Sequence, residues 1–330
     1  MFVTNLTQGL LLVVLSMLVM NEQMTLAILL AISAMFGLLD AFFGPASTSM
    51  IPKIVAKRQL QEANAVFQGA DQVSFIIGPV LAGLAMETNG VSLSYIIATC
   101  LVIMSAFVIF PPFLKEAPVE NNKHQSPIKD FKEGLSYVRK SSFLIMSILI
   151  LITLNFFIFG SLQIAIPLLV DIHGGTPLHL SYMEVSLGTG MLIGTFILSK
   201  YTIKSKGKVA LFGLIYCLIV FIIFSRLTHL SLLITLVFFI GLCMPFVFIP
   251  IFTAVQETTE NRLMGRVMSI IFLAMNGFDP ISYAIVSGLV SFDVSIHTIL
   301  LSFGLTGLLI ALFILYKAKS FQKAGSQMGE

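Results

Sequence analysis

The chain of 330 residues is 57% hydrophobic and 11% charged, with a mean hydropathy of +0.98. That leaves too little polar surface to cover a globule in water, so a soluble fold is excluded and the chain is expected in a lipid bilayer. The formal net charge of +3 gives no basic excess for a nucleic-acid partner, and none is expected.

A helix needs about 20 apolar residues to cross a hydrocarbon core of about 30 Å. Ten stretches qualify: residues 3–20, 25–47, 64–86, 92–112, 144–170, 180–200, 208–226, 231–255, 265–290 and 296–316. The expected fold class is all-α and polytopic. Lys and Arg collect in cytoplasmic loops, and ten spans put both termini on one side. With that side as the cytoplasm, 18 of the 19 basic residues lie inside and only Arg226 outside. Span count and orientation thus support each other, and a multi-pass protein of the cell membrane with both termini cytoplasmic is expected. Cys100, Cys217 and Cys243 fall within spans, where a thiol packs as a small apolar group and an external disulfide cannot form.

The first span has Asn5, Thr7 and Gln8 in its opening turns and no basic residue ahead of it. This suggests weak retention of the N-terminus or a true start upstream; a signal-peptide pattern is lacking. In the second span Asp40 precedes Gly44 and Pro45, about 10 Å inside the cytoplasmic end at 1.5 Å per residue. Asp71 lies at a similar depth in the third span. A carboxylate at mid-bilayer costs up to about 3 kcal/mol on insertion scales. Such residues face the bundle interior, either for function or to bond a neighbouring group such as Gln68 or Gln72.

The stretch 115–143 is the longest polar segment and separates a membrane half at 1–114, with four spans, from one at 144–318 with six; 319–330 form a tail. Within it Ile128, Phe131, Leu135 and Val138 recur at helical spacing, with Lys129, Lys132, Glu133 and Lys140 elsewhere on the wheel. This pattern predicts a helix on the inner membrane face, held by apolar burial and by anionic lipid. A motif for a soluble partner is the rival reading.

The fifth span carries Asn155, Phe159 and Gln163, amides and an aromatic that suit a lipophilic ligand with a few polar groups. Interhelical hydrogen bonds would explain the amides as well. His173 and His179 in the following loop are a weak metal pattern, and no metal or cofactor is expected. Pro245 and Pro250 are expected to interrupt the eighth span. In the ninth, Asp279 directly precedes Pro280 near mid-membrane, with no Lys or Arg in a neighbouring span. A carboxyl that is protonated in one state and ionised in another is what proton coupling requires, which makes Asp279, Asp40 and Asp71 the candidates.

The stretch from Asp40 to Gly83 reappears in altered form from Pro250 to Gly288. Setting Pro79 against Pro280 places Val66 on Val267 and Gly78 on Asp279. Two weakly similar membrane halves mark a transporter built from repeats.

DAFFGPASTSMIPKIV, LQEANAVFQGADQVSFIIGPVLAGLA, DFKEGLSYVRKSSFL and VQETTENRLMGRVMSIIFLAMNGFDP resemble the major facilitator superfamily, in the branch of macrolide efflux proteins and the enterobactin exporter. The resemblance implies an antiport motif matched by Gly78, Pro79 and Gly83, with Ser74 and Ala82 where glycines are common. It implies a twelve-span fold of two six-helix halves, of which ten helices are present here. The first two helices and a basic loop bearing an aspartate are expected to be missing, through a misplaced start or a truncated gene. In the matching loop of the second half, SKYTIKSKGK keeps Lys200, Lys204, Lys206 and Lys208 without the acidic partner. The cavity-lining helices of the family correspond to 25–47, 144–170 and 231–255, which adds Phe248 and Thr253 to Asn155, Phe159 and Gln163 as cavity candidates.

Proton-coupled export of small lipophilic compounds such as macrolide-type drugs, by alternating access, is the function these readings favour. A siderophore exporter and a truncated, non-transporting remnant are the alternatives. An enzyme is not expected, because His124, His173, His179, His229 and His297 lie in loops or at span ends and no Walker loop is present.

Overall fold

Apolar runs of this length in lipid must satisfy every backbone group internally, and the helix is the form that does so within one segment. The computed structural model describes residues 2–89, 91–108, 127–201 and 203–317, and its regular structure there is helical. In chain order the helices are α1 (Phe2–Met20), α2 (Leu26–Ile54), α3 (Leu60–Asn89), α4 (Val91–Val108), α5 (Pro127–Lys140), α6 (Ser142–Leu154), α7 (Gly160–Ile172), α8 (Pro177–Lys200), α9 (Lys206–Phe224), α10 (Leu230–Thr258), α11 (Met264–Asn276), α12 (Asp279–Ser291) and α13 (Ile296–Lys317). Among the described residues eight segments are long and apolar enough to cross a membrane, including Ser142–Ile172, which joins α6 to α7, and Met264–Ser291, which joins α11 to α12. The two other expected spans fall on α3, which is long but carries Gln61, Glu62, Gln68, Asp71 and Gln72, and on the described part of α4.

The chain divides into two compact units, Met1–Met50 with Ile77–Asp130, and Ile51–Ile76 with Phe131–Glu330. In the first, α1 packs on α4. Asn5 Nδ2 donates to Ser105 Oγ at 2.9 Å, and the hydroxyls of Ser16 and Thr99 lie 3.4 Å apart. Leu12, Leu15 and Ile32 form its small core with Tyr95 and Val102. α2 leaves Leu26, Leu30, Leu38 and Phe42 exposed.

The second unit holds the large core, with Phe221, Phe224 and Phe252 among its fully buried side chains. Its tightest pair is α8 with α10. A Cβ on Gly190 would stand 2.2 Å from the Phe238 carbonyl oxygen, and one on Gly241 2.2 Å from that of Leu187. Glycine there lets two backbones meet, the packing that membrane helices favour. α10 runs unbroken from Leu230 to Thr258 through Pro245 and Pro250, so the interruption expected from the prolines does not occur. Both prolines are buried, and close packing holds the helix across the lost hydrogen bonds.

The linker helix α5 is present as the periodicity predicts, and it docks on protein. Val138 is buried in the large core, while Phe131 is exposed. Glu133 pairs with Arg262 at 3.1 Å and with Arg266, and Tyr137 donates to the Thr258 carbonyl at 3.3 Å.

Candidate functional site

The span Ser142–Ile172 is not a uniform α-helix. α6 ends at Leu154, Asn155–Phe159 form one π turn, and α7 begins at Gly160. The Gly160 N–H donates to the Asn155 carbonyl, five residues back, where an α-helix would use Phe156. The Phe156 carbonyl accepts instead from the hydroxyl of Ser282 at 2.7 Å. Ser282 is fully buried, and a Cβ on Gly160 would lie 2.7 Å from its Cβ and 2.8 Å from its Oγ. π turns of this kind concentrate at functional sites, where they re-aim side chains.

Ser282 stands one turn after Asp279 on α12, on the same face. The ninth expected span is broken here, since α11 ends at Asn276 and α12 begins at Asp279. Pro280 suits the first turn, where no donor is lost. Asp279 is half-buried, and its Oδ1 is shielded from solvent without a hydrogen-bond partner. Leaving such an acceptor buried is costly, so the surrounding packing holds it there.

The structure sets Asn155 and Phe159 in the π turn and Gln163 one turn on. Asn155 is buried and its Nδ2 donates to the Leu151 carbonyl at 2.9 Å; Phe159 is half-buried and Gln163 exposed. Phe156 stacks on Phe303 at 5.7 Å. Phe248 is buried, and Thr253 is wholly buried and accepts from Asn64 at 3.1 Å. Asp40 belongs to the first unit, exposed on α2, and accepts from Gln8 Nε2 at 2.7 Å. Asp71 is exposed on α3. Gly78, Pro79 and Gly83 lie within the continuous α3, with open space where a Gly78 side chain would be. His179 Nδ1 accepts the Thr176 N–H at 3.1 Å to cap α8, and His173 and His297 each bond a backbone carbonyl.

Sequence reasoning missed several polar partners. The acidic mate of Lys206 does not lie in its own loop; Glu257 supplies it from the end of α10, at 3.0 Å. Asn64 and Gln256 bond each other, and Ser282 carries the contact to α7. Asn64 stands three residues after Gln61 in LQEANA, and two amides at that spacing, which share one face of α3, were the available signal.

Residues 1–278 match the Major Facilitator Superfamily, and the chain belongs to this family of membrane transporters. It is 25% identical to the macrolide efflux protein A of Enterococcus faecalis over 238 residues, 70% of this chain and 72% of that protein. The Streptococcus pyogenes protein of the same name is 25% identical over 70% of this chain and 58% of its own length. The chain thus spans little more than half the length of that relative. The human organic anion transporter MFSD10 superposes with a TM-score of 0.74 at 14% identity, covering 95% of this chain and 76% of that one. The Escherichia coli fucose:proton symporter FucP does so at 0.66 and 16%, covering 96% of this chain and 82% of that one. The two solved structures share the fold, that of a polytopic helical membrane protein, and the family match makes the chain a transporter rather than an enzyme.

Proposed function

We propose that the chain forms part of a proton-coupled exporter of small lipophilic compounds in the cell membrane, with both termini cytoplasmic. The observation that carries this reading is Asp279, whose buried, unpartnered oxygen opens α12 in the middle of a broken span. One turn on, Ser282 ties that helix to the wall bearing Asn155, Phe159 and Gln163. A proton taken up and released at such a carboxyl is the form of coupling that intramembrane acids serve. The amide and aromatic wall suits a lipophilic ligand. The names of the macrolide efflux relatives support export of drug-like compounds, and FucP shows that this fold accommodates proton coupling. Alternating access between the membrane halves at 1–114 and 144–318 is the mechanism that repeat-built transporters use.

The test is accumulation of a macrolide by cells expressing the protein. Accumulation is expected to rise when the proton gradient is collapsed and to fall when it is restored. Accumulation that ignores the gradient, in cells where the protein lowers it at all, rules out proton coupling.

A further inference from the structure

His173 caps the end of α7, and His297 is the second residue of α13. Far apart in sequence, the two rings meet edge to face, with centroids 5.5 Å apart and planes at 87°. Both residues are half-buried. Each ring is anchored through Nδ1: that of His173 bonds the Leu169 carbonyl at 2.8 Å, and that of His297 bonds the carbonyl of Ser225, the cap of α9, at 2.9 Å. A carbonyl can only accept, so in the neutral ring Nδ1 carries the proton and Nε2 keeps the lone pair. His179 is the opposite case. Its Nδ1 accepts the Thr176 N–H, which puts the proton on Nε2 and leaves that atom no lone pair to offer. The loop pattern of His173 with His179 therefore gives way to a different pair, His173 with His297.

Transition metals take imidazole through such a lone pair, and zinc does so at about 2.0–2.1 Å. A ring whose nitrogen sits at that distance has its centre about 3.2 Å from the ion, and two such rings at a tetrahedral angle are about 5.2 Å apart centre to centre. The observed 5.5 Å is close to that spacing. Carbonyls on the opposite nitrogens are the outer partners that fix the tautomer and orientation of a metal-binding histidine. In the flanking sequence the exposed Asp171 and Asp293 stand against Arg226, which follows Ser225, so no excess of positive charge there opposes a cation. We propose that His173 and His297 bind a divalent ion of the zinc class through their Nε2 atoms. Water completes the shell, because among the described residues no group of three His, Cys, Asp or Glu is placed to hold a metal. With both Nε2 atoms already unprotonated, binding releases no proton, and the ion ties the end of α7 to the start of α13.

The untagged full chain, purified in detergent and stripped with EDTA, is treated with diethyl pyrocarbonate at neutral pH, and each histidine is followed by peptide mass spectrometry. Zinc chloride is expected to slow modification of His173 and His297 together, by about tenfold once the ion reaches about ten times its dissociation constant, with His179 and His229 unchanged. Magnesium chloride is expected to protect neither, because a hard cation prefers oxygen ligands. Protection of one ring without the other, equal protection by magnesium, or no protection by zinc overturns the site. Competition with a chromophoric zinc indicator then reads affinity: His173→Asn and His297→Asn are each expected to weaken it by about tenfold or more, at least the effect of losing a ligand's outer partner, and His179→Asn to leave it as in the parent. Parent-like affinity in either of the first two overturns the proposal. The protection experiment uses the parent chain alone, so it decides the matter where a variant does not fold. No substrate enters either measurement, and the result stands apart from the efflux reading.

Discussion

Ser282 donates its hydroxyl to the carbonyl of Phe156 at 2.7 Å, across 126 residues of sequence. The bond exists because the Gly160 N–H reaches past Phe156 to Asn155. It fixes α12, which opens with Asp279, to the π turn that carries Asn155 and Phe159. Removing the hydroxyl in Ser282→Ala leaves a buried carbonyl without its partner, a loss of about 1–3 kcal/mol. Gly160→Ala is expected to cost more, since its Cβ would meet Ser282 at 2.7 Å and the two helices would have to part. Thermal unfolding of the detergent-solubilised protein reads both. A Gly160→Ala variant that melts with the parent shows the approach to be slack.

Asp279 and Asp71 separate function from packing. Asp279 has a buried oxygen without a partner, whereas Asp71 is exposed on α3. Asp279→Asn is expected to abolish gradient-driven export while leaving the melting temperature at or above that of the parent, because a neutral amide costs less to bury than a carboxylate. Asp71→Asn is expected to retain most export. Normal export by the residue-279 variant at several pH values would show that carboxyl to be a packing group.

The helices were legible because hydropathy over about 20 residues reports a bilayer span directly, and the linker helix was legible from Ile128, Phe131, Leu135 and Val138 at helical spacing. The irregular points were less so. Pro245 and Pro250 predict a break in α10 that close packing prevents. The break that does occur, at Asn276–Asp279, falls inside a stretch read as one span, although Asp-Pro stands at it, and the π turn at Asn155–Phe159 has no local signature, since it depends on a hydroxyl 126 residues away. The same holds for Thr253, read as cavity-lining by its helix and found bonded to Asn64. Periodicity tells which face of a helix is apolar; it does not tell which distant polar group that face will meet.

The linker helix supplies a third test. Glu133 accepts from Arg262, just before α11, and from Arg266 in its first turn, and Gly134 lies against Arg266, where a Cβ would stand 3.0 Å from that residue's own Cβ. Glu133→Gln removes the charge and is expected to loosen α5, seen as faster amide hydrogen exchange over residues 131–140. The loss of global stability is expected to be small, about 1 kcal/mol or less, because the three side chains are 23–56% exposed and screened by water. High salt is expected to mimic the variant. Exchange that stays slow in both conditions means that Val138 and Leu135 hold the helix by themselves.

The glycines divide into two groups with opposite expectations. Gly190 and Gly241 sit where α8 and α10 touch through their backbones, and a Cβ at either would come within 2.2 Å of a carbonyl oxygen of the facing helix. A backbone oxygen cannot swing aside as a side chain can, so Gly190→Ala or Gly241→Ala must push the helices apart along their most extensive contact. Overpacking of this kind costs about 1–3 kcal/mol, occasionally more, and a low yield of folded protein in detergent is the expected result. Gly265 and Gly288, on α11 and α12, have nothing within 4 Å of that position. Gly288→Ala in the interior of α12 is expected to hold or raise the melting temperature, by as much as about 1 kcal/mol of helix propensity. The contrast is measured by fluorescence-detected size exclusion of heated samples. Equal losses in the two groups would mean that the α8–α10 contact is looser than 2.2 Å implies.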